Sequence, residues 1–218
     1  MADNGFKPLF QLTVTDSRML RKHPKDITSI IAGVQKYVKL TDEESALFNS
    51  FLEPKSISRR TLLAKEGEIC RQSIFVVDGA LKSFTLDKES NEHVISFALS
   101  GWWIADMYSL INQKPGMLRI ESLADSELLL LSKQNQELLY ERVPKFERFF
   151  RIITENALVA SQQRIINNLT LTAEERYINF MEKYPFVLTC APLHNIASYL
   201  GMTPEFLSKI RRRIATRS

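Results

Sequence analysis

The chain is poor in the residues that most catalytic and redox chemistry requires. Its two cysteines, Cys70 and Cys190, lie far apart and match no metal-ligand or redox spacing. They read as ordinary thiols of a reducing compartment, and the four ligands of an iron–sulfur cluster cannot be assembled from them. The three histidines, His23, His93 and His194, are scattered over three segments. A metalloenzyme on a β-roll wants clustered His with a Glu, and a haem site wants a supporting motif, so neither is expected. No P-loop, dinucleotide fingerprint or nucleophile motif occurs. The expectation is a protein that is not an enzyme and has no metal or cofactor. No apolar run reaches the length of a membrane-spanning helix. The opening residues, MADNGFKPLFQLTVTD, lack a basic start followed by a long apolar stretch, so no secretory leader is expected either. These absences predict a soluble, cytoplasmic protein.

What is present is enough apolar material for a sizeable core, 44% of 218 residues, and a mild excess of positive charge, 29 Lys plus Arg against 25 Asp plus Glu. The excess is uneven. From Glu205 onward stand Lys209, Arg211, Arg212, Arg213 and Arg217 with a single acid. A basic terminus suggests a polyanion partner, although a solvated tail has the same composition.

Four regions follow from local pattern. Residues 1–25 are weakly patterned and read as an arm. Residues 26–144 open with helical spacing in DITSIIAGVQKYV and a capping box, Thr41 with Glu44. From about Pro54 they turn into short Val-, Ile-, Phe- and Thr-rich runs: SIFVV, ALKSFTL, HVISFAL, MLRIESL and ELLLLS. Turn residues separate them, including Asp78-Gly79, which predicts a hairpin. Strands at this spacing indicate an antiparallel β-roll, hence an α+β fold. Residues 145–171 form the longest break-free helical stretch, roughly 40 Å. Within it Phe146, Phe150, Ile153, Ala157 and Ala160 step like a coiled-coil seam, and Phe149, Ile152 and Val159 make a second row suited to pack on the β-roll. A dimer through the first row is the expectation. Residues 172–218 begin with another capping box, Thr172 with Glu175.

The most specific pattern is LHNIASYLGMTPEFLSKIRRRI, from Leu193. Two short helices crossed at a tight turn need a small residue where their axes approach, here Ala197, and a residue that tolerates positive φ at the turn, here Gly201. Ile196, Leu200, Met202, Leu207 and Ile210 fall where such a pair must be sealed. Thr203 as N-cap and Pro204 at the first helical position start the second helix. This is a helix-turn-helix pattern. Glu205, Ser208, Lys209 and Arg212 share the face opposite Leu207, Ile210 and Ile214, a polar and mostly basic surface able to enter a DNA major groove. Glu205 can accept from a cytosine amino group, and Lys209 and Arg212 can donate to guanine edges or phosphates. Thr203 and the first-turn amides suit a phosphate oxygen. Arg211 and Arg213 lie off that face, as phosphate contacts or solvated side chains.

With these residues in view the chain resembles the Crp/Fnr family of bacterial transcription regulators, in particular a Bacteroidetes-type branch. GWWIAD, AEERY and IASYLGMTPEFLSKIRR carry the likeness, which covers nearly everything after the arm. The resemblance implies a cyclic-nucleotide-binding-like jelly roll, a long dimerisation helix and a C-terminal winged-helix-like helix-turn-helix domain. It implies a homodimer on double-stranded DNA with half-sites about 34 Å apart, and makes RNA polymerase a candidate further partner. It also implies an effector pocket in the β-roll at Ala105, Asp106, Met117 and Arg119. Nucleotide-binding relatives carry Gly-Glu where this chain has Ala105-Asp106, and Arg with Ser or Thr where it has Gly116 and Met117. Lys114 and Arg119 are off register. Cyclic AMP is therefore not expected, and the effector stays unidentified. Pro204 also departs from the arginine found in the best-known member, so a different preferred DNA sequence is expected. A ligand-binding or interaction β-roll without productive DNA binding is the alternative.

Overall fold

The computed structural model describes residues 28–216. The expected arm, His23 and Arg217 lie outside the described residues. Two helices come first, α1 (Thr28–Gln35) and α2 (Asp42–Ser50). The α2 cap is reciprocal, as expected: Thr41 Oγ1 accepts from the Glu44 amide at 3.2 Å, and the Glu44 carboxylate accepts from the Thr41 amide at 2.8 Å.

Eight strands follow: β1 (Leu52–Ile57), β2 (Leu62–Ala64), β3 (Gln72–Asp78), β4 (Ala80–Leu86), β5 (Glu92–Leu99), β6 (Trp103–Ile104), β7 (Arg119–Ser122) and β8 (Ser126–Ser132), with a short α3 (Met107–Asn112) between β6 and β7. They build two four-stranded antiparallel sheets, ordered β1-β8-β3-β6 and β2-β7-β4-β5. Strand β8 lacks polar alternation because both of its faces are covered. Leu128 and Leu130 join Ile74, Val76, Leu81 and Ile120 in one core cluster. Leu129 and Leu131 join Phe75 in a second, beneath α1, α2, α4 (Lys133–Arg142) and the start of α5 (Lys145–Thr170).

Asp78-Gly79 does not make the expected hairpin. Strand β3 pairs with β8 and β6, while β4 pairs with β5 and β7, so the dipeptide is a corner that carries the chain from one sheet to the other. Gly79 turns it at φ 106°, and a Cβ there would lie 2.2 Å from Ser126 Oγ. The close approach of the next corner, not a two-residue turn, is what requires glycine. The hairpin falls one connection later, between β4 and β5, where the Asp87 carboxylate accepts from the Glu89 and Asn91 amides and bonds His93 Nε2.

The paired tryptophans separate as strand alternation predicts. Trp102 joins the cluster between the sheets and the C-terminal helices, 5.8 Å centroid to centroid from Tyr184. Trp103 turns the other way, onto Phe75 and Phe150 at 5.3 and 5.4 Å.

The C-terminal unit contains α6 (Ala173–Lys183), α7 (Val187–Cys190), α8 (Leu193–Tyr199) and α9 (Pro204–Ala215). Thr172 and Glu175 form the second expected capping box. No strand follows β8 among the described residues, so the expected winged-helix-like form lacks a strand-built wing; between α6 and α8 the chain makes α7 instead. The unit packs directly on the β-roll. Phe97 of β5 meets Phe180, Tyr184 and Tyr199 at 6.0, 6.1 and 5.1 Å between centroids. Ser198 Oγ donates to the Glu92 carbonyl at 2.8 Å and accepts from the Val94 amide at 2.9 Å. Arg164 of α5 donates to the Ile95 carbonyl at 2.8 Å.

Candidate nucleic-acid interface and β-roll cavity

The helix-turn-helix closes as its sequence requires. Ala197 is fully buried at the crossing of α8 and α9, and Ile196, Leu200, Leu207 and Ile210 are buried around it. Gly201 takes φ 66° at the turn. Thr203 Oγ1 accepts from the Phe206 amide at 3.2 Å, and Pro204 follows at the first helical position. This local order leaves Glu205, Lys209 and Arg212 exposed on the face away from the buried residues. Ser208 is half-buried, and with Arg211 and Arg212 it rims a shallow cleft against Tyr177 and Met181 of α6. Arg212 Nε also leans back to the Ser208 carbonyl at 3.5 Å. Arg213 is neither free nor merely solvated, because it pairs with Glu174 of α6 at 3.4 Å. Phe206 escaped the sequence reading. It is 44% exposed beside Glu205, an aromatic on a helix whose other large apolar residues point inward. That mismatch was visible in the sequence, since Phe206 is off the Leu207–Ile210–Ile214 row. Such a ring can meet a thymine methyl.

The coiled-coil row is corrected by the structure. Phe146 is fully buried within the chain itself, 4.5 Å from Phe48 between centroids, and Phe150 packs on Trp103 and Tyr140. Ile153 packs against the same cluster. Ala160 lines the junction of α5 with α6 and α8, leaving only Ala157 of that row exposed. Val159, expected on the β-roll, is also exposed. The row is intramolecular because it is the side of α5 that the chain's own two units cover. The uncovered apolar face is rotated one residue on: Leu158, Ile165 and Leu169 are 59, 54 and 81% exposed, with Val159 and Ile166 alongside.

A cavity of about 240 Å³ lies in the β-roll, lined among others by Leu63, Lys65, Glu68, Cys70, Arg71 and Asp106. Of the four expected pocket residues only Asp106 lines it. Ala105 is half-buried but is not part of the lining. Met117 is 56% exposed, and Arg119 sits on β7 with its neighbour Ile120 turned inward, so its own side chain turns out, 3.8 Å from Glu66. Lys65, Glu68 and Arg71 were missed because their segment carries no strand pattern or motif.

Asp106 is 2% exposed and saturated with donors. Its Oδ1 caps α3 by accepting from the Ser109 amide at 3.1 Å. Its Oδ2 accepts from the Met117 and Leu118 amides at 2.8 and 2.9 Å. Gly116 lets this happen, because a Cβ there would stand 2.6 Å from Asp106 Oδ2. Two consecutive amides pointing at one oxygen form an anion niche, and the chain's own carboxylate fills it. A cyclic nucleotide does not fit these residues. The niche is taken, and the guanidinium of Arg119 faces out of the cavity. Among the described residues no group of three His, Cys, Asp or Glu side chains is placed to hold a metal, and no helix is long and apolar enough to cross a membrane.

Comparison with known proteins agrees with this architecture. Residues 54–142 match the family described as cyclic nucleotide-binding domain. The chain is similar to the structure of FixK2 from Bradyrhizobium japonicum, with a TM-score of 0.65, 20% identity, and coverage of 76% of this chain and 85% of that one. It is similar to the c-di-GMP responsive global regulator CLP of Xanthomonas campestris, with a TM-score of 0.65, 13% identity, and coverage of 81% and 93%. A crp/fnr-family protein from Eubacterium rectale gives a TM-score of 0.63, 13% identity, and coverage of 82% and 85%. No curated protein sequence matches the chain.

Proposed function

We propose, from the premise that residues 54–142 are a domain of the cyclic nucleotide-binding family and that the chain has the fold of Crp/Fnr regulators, that this protein is a homodimeric DNA-binding transcription regulator. The observation that carries the reading is the capped helix α9, which buries Leu207 and Ile210 and leaves Glu205, Lys209 and Arg212 to solvent. A helix of this charge fits a major groove, with phosphates met by the first turn at Thr203 and by Arg211. Glu205, Phe206 and Lys209 are the base-reading set, and Ser208 and Arg212 stand beside them. Dimerisation uses the uncovered face of α5, Leu158, Ile165 and Leu169, which supplies the apolar seam the buried row cannot.

The β-roll takes an effector other than a cyclic nucleotide, because Asp106 already meets the amides that a phosphate would use. Its cavity is bordered by Arg71 and by the exposed Lys65–Glu68 pair, 3.6 Å apart, which suits a ligand carrying charge of both signs.

Fluorescence anisotropy with duplex DNA at two salt concentrations tests the function. Binding should weaken steeply with salt; no binding at low salt, or none of that dependence, overturns the reading. In the same assay Lys209→Ala should lose about 1–3 kcal/mol of discrimination between the preferred site and random duplex. An equal loss on both assigns Lys209 to a phosphate instead.

A further inference from the structure

We propose that the junction of α5, α6 and α8 is a binding site for a phosphate-type oxyanion, held by Arg164, Arg176 and Lys183. A cavity of about 80 Å³ lies there, with Arg164, Asn167, Arg176, Lys183 and Tyr199 among its lining and, among the described residues, no Asp or Glu in it. Space of that order takes several waters or one tetrahedral oxyanion. Three cations line one small cavity with no carboxylate between them, which costs free energy until an anion joins them.

The individual side chains point the same way. Arg176 Nε is shielded from solvent and has no acceptor among the described residues, and its Nη1 makes a long contact, 3.4 Å, to Asn168 Oδ1. Arg164 lies over the Tyr199 ring at 4.9 Å and spends its Nη1 on the Ile95 carbonyl, while Lys183 lies over the Tyr184 ring at 5.3 Å, so these contacts hold both cations in place without meeting their charge. Burial, and then the charge of Arg164, pushes the Lys183 amine below its ordinary range, as expected for a cation that lacks its counter-charge. The contrast with the β-roll is direct. There two amides converge on a carboxylate the chain supplies; here three cations line one cavity, and no carboxylate among the described residues lines it with them.

The place gives the site its consequence. Arg176 Nη1 lies 3.6 Å from where a side chain on Gly201 would begin, so the bound anion would sit against the turn of the helix-turn-helix. Arg164 belongs to the helix that carries the exposed apolar face. An oxyanion held by both would fix the angle between them. That consequence for DNA rests on the regulator reading; the site itself does not.

The oxyanion has two sources, a small phosphorylated molecule or a backbone phosphate of bound DNA, and two measurements distinguish them. Calorimetry of the full chain with inorganic pyrophosphate and no DNA should give saturable binding. Arg176→Gln and Asn179→Asp should each weaken it by about tenfold or more. Asn179 is an exposed helical position, so Asn179→Asp keeps the test valid if Arg176→Gln fails to fold. If pyrophosphate does not bind but Arg176→Gln lowers the salt slope of duplex binding by about one, the site holds a DNA phosphate. Neither effect, or pyrophosphate binding that both variants leave unchanged, overturns the proposal.

Discussion

Asp106→Ala should lower the melting temperature of the full chain by about 10 °C. The carboxylate accepts three backbone N–H groups in a site 2% exposed. Removing it strands three donors, each costing about 1–3 kcal/mol, of which part is recovered if water enters the adjoining cavity. A net loss of about 3–4 kcal/mol corresponds to that shift for a chain of this size. Asp106→Asn keeps an acceptor oxygen and should lose less than half as much. Formate at high concentration should restore part of the alanine variant's loss by occupying the vacated niche. A shift below about 3 °C for Asp106→Ala would mean that solvent already satisfies these amides, which would then be open to a nucleotide phosphate.

Ile165→Glu should convert a dimer into monomers in sedimentation and weaken binding to a two-half-site DNA by about a hundredfold or more. Linked half-sites multiply affinity by that order, and a lone helix-turn-helix forfeits it. The substitution places a charge on a residue that is 54% exposed in the single chain, so the fold should survive. Ile153→Glu is the informative control. That residue packs against the chain's own second cluster, so its loss should appear in the melting temperature. An Ile165→Glu protein that stays dimeric would remove the uncovered face of α5 from the assembly.

Much of this fold was legible in the chain. Both capping boxes, Thr41 with Glu44 and Thr172 with Glu175, formed as written because a cap needs only residues three apart. The helix-turn-helix was legible for a similar reason: its seal from Ile196 to Ile210 lies within fifteen residues, and Gly201 marks the turn. What failed depended on distant partners. Asp78-Gly79 has the composition of a hairpin, but whether the next strand returns to the same sheet is set by β8, some fifty residues on. The row from Phe146 to Ile153 packs within the chain instead of lying free, because periodicity locates apolar rows without saying which one the rest of the chain covers. Asp106 could be placed by its resemblance to a ligand-binding acid, but its true partners, the amides of Met117 and Leu118, have no side-chain identity to read.

The contacts of Ser198 and Arg164 have a bearing on solubility. Strand β5 is the rim of its sheet, paired on one side only. Its outward amide at Val94 and carbonyls at Glu92 and Ile95 are satisfied by Ser198 and Arg164. A strand rim left open is a template for another chain to add to. Any movement that lifts α8 from the roll therefore uncovers, along with the aromatic cluster, a row of unpaired backbone groups. Helix α8 thus also shields the sheet from polymerising, and any change of shape that moves it must supply another cover for that edge.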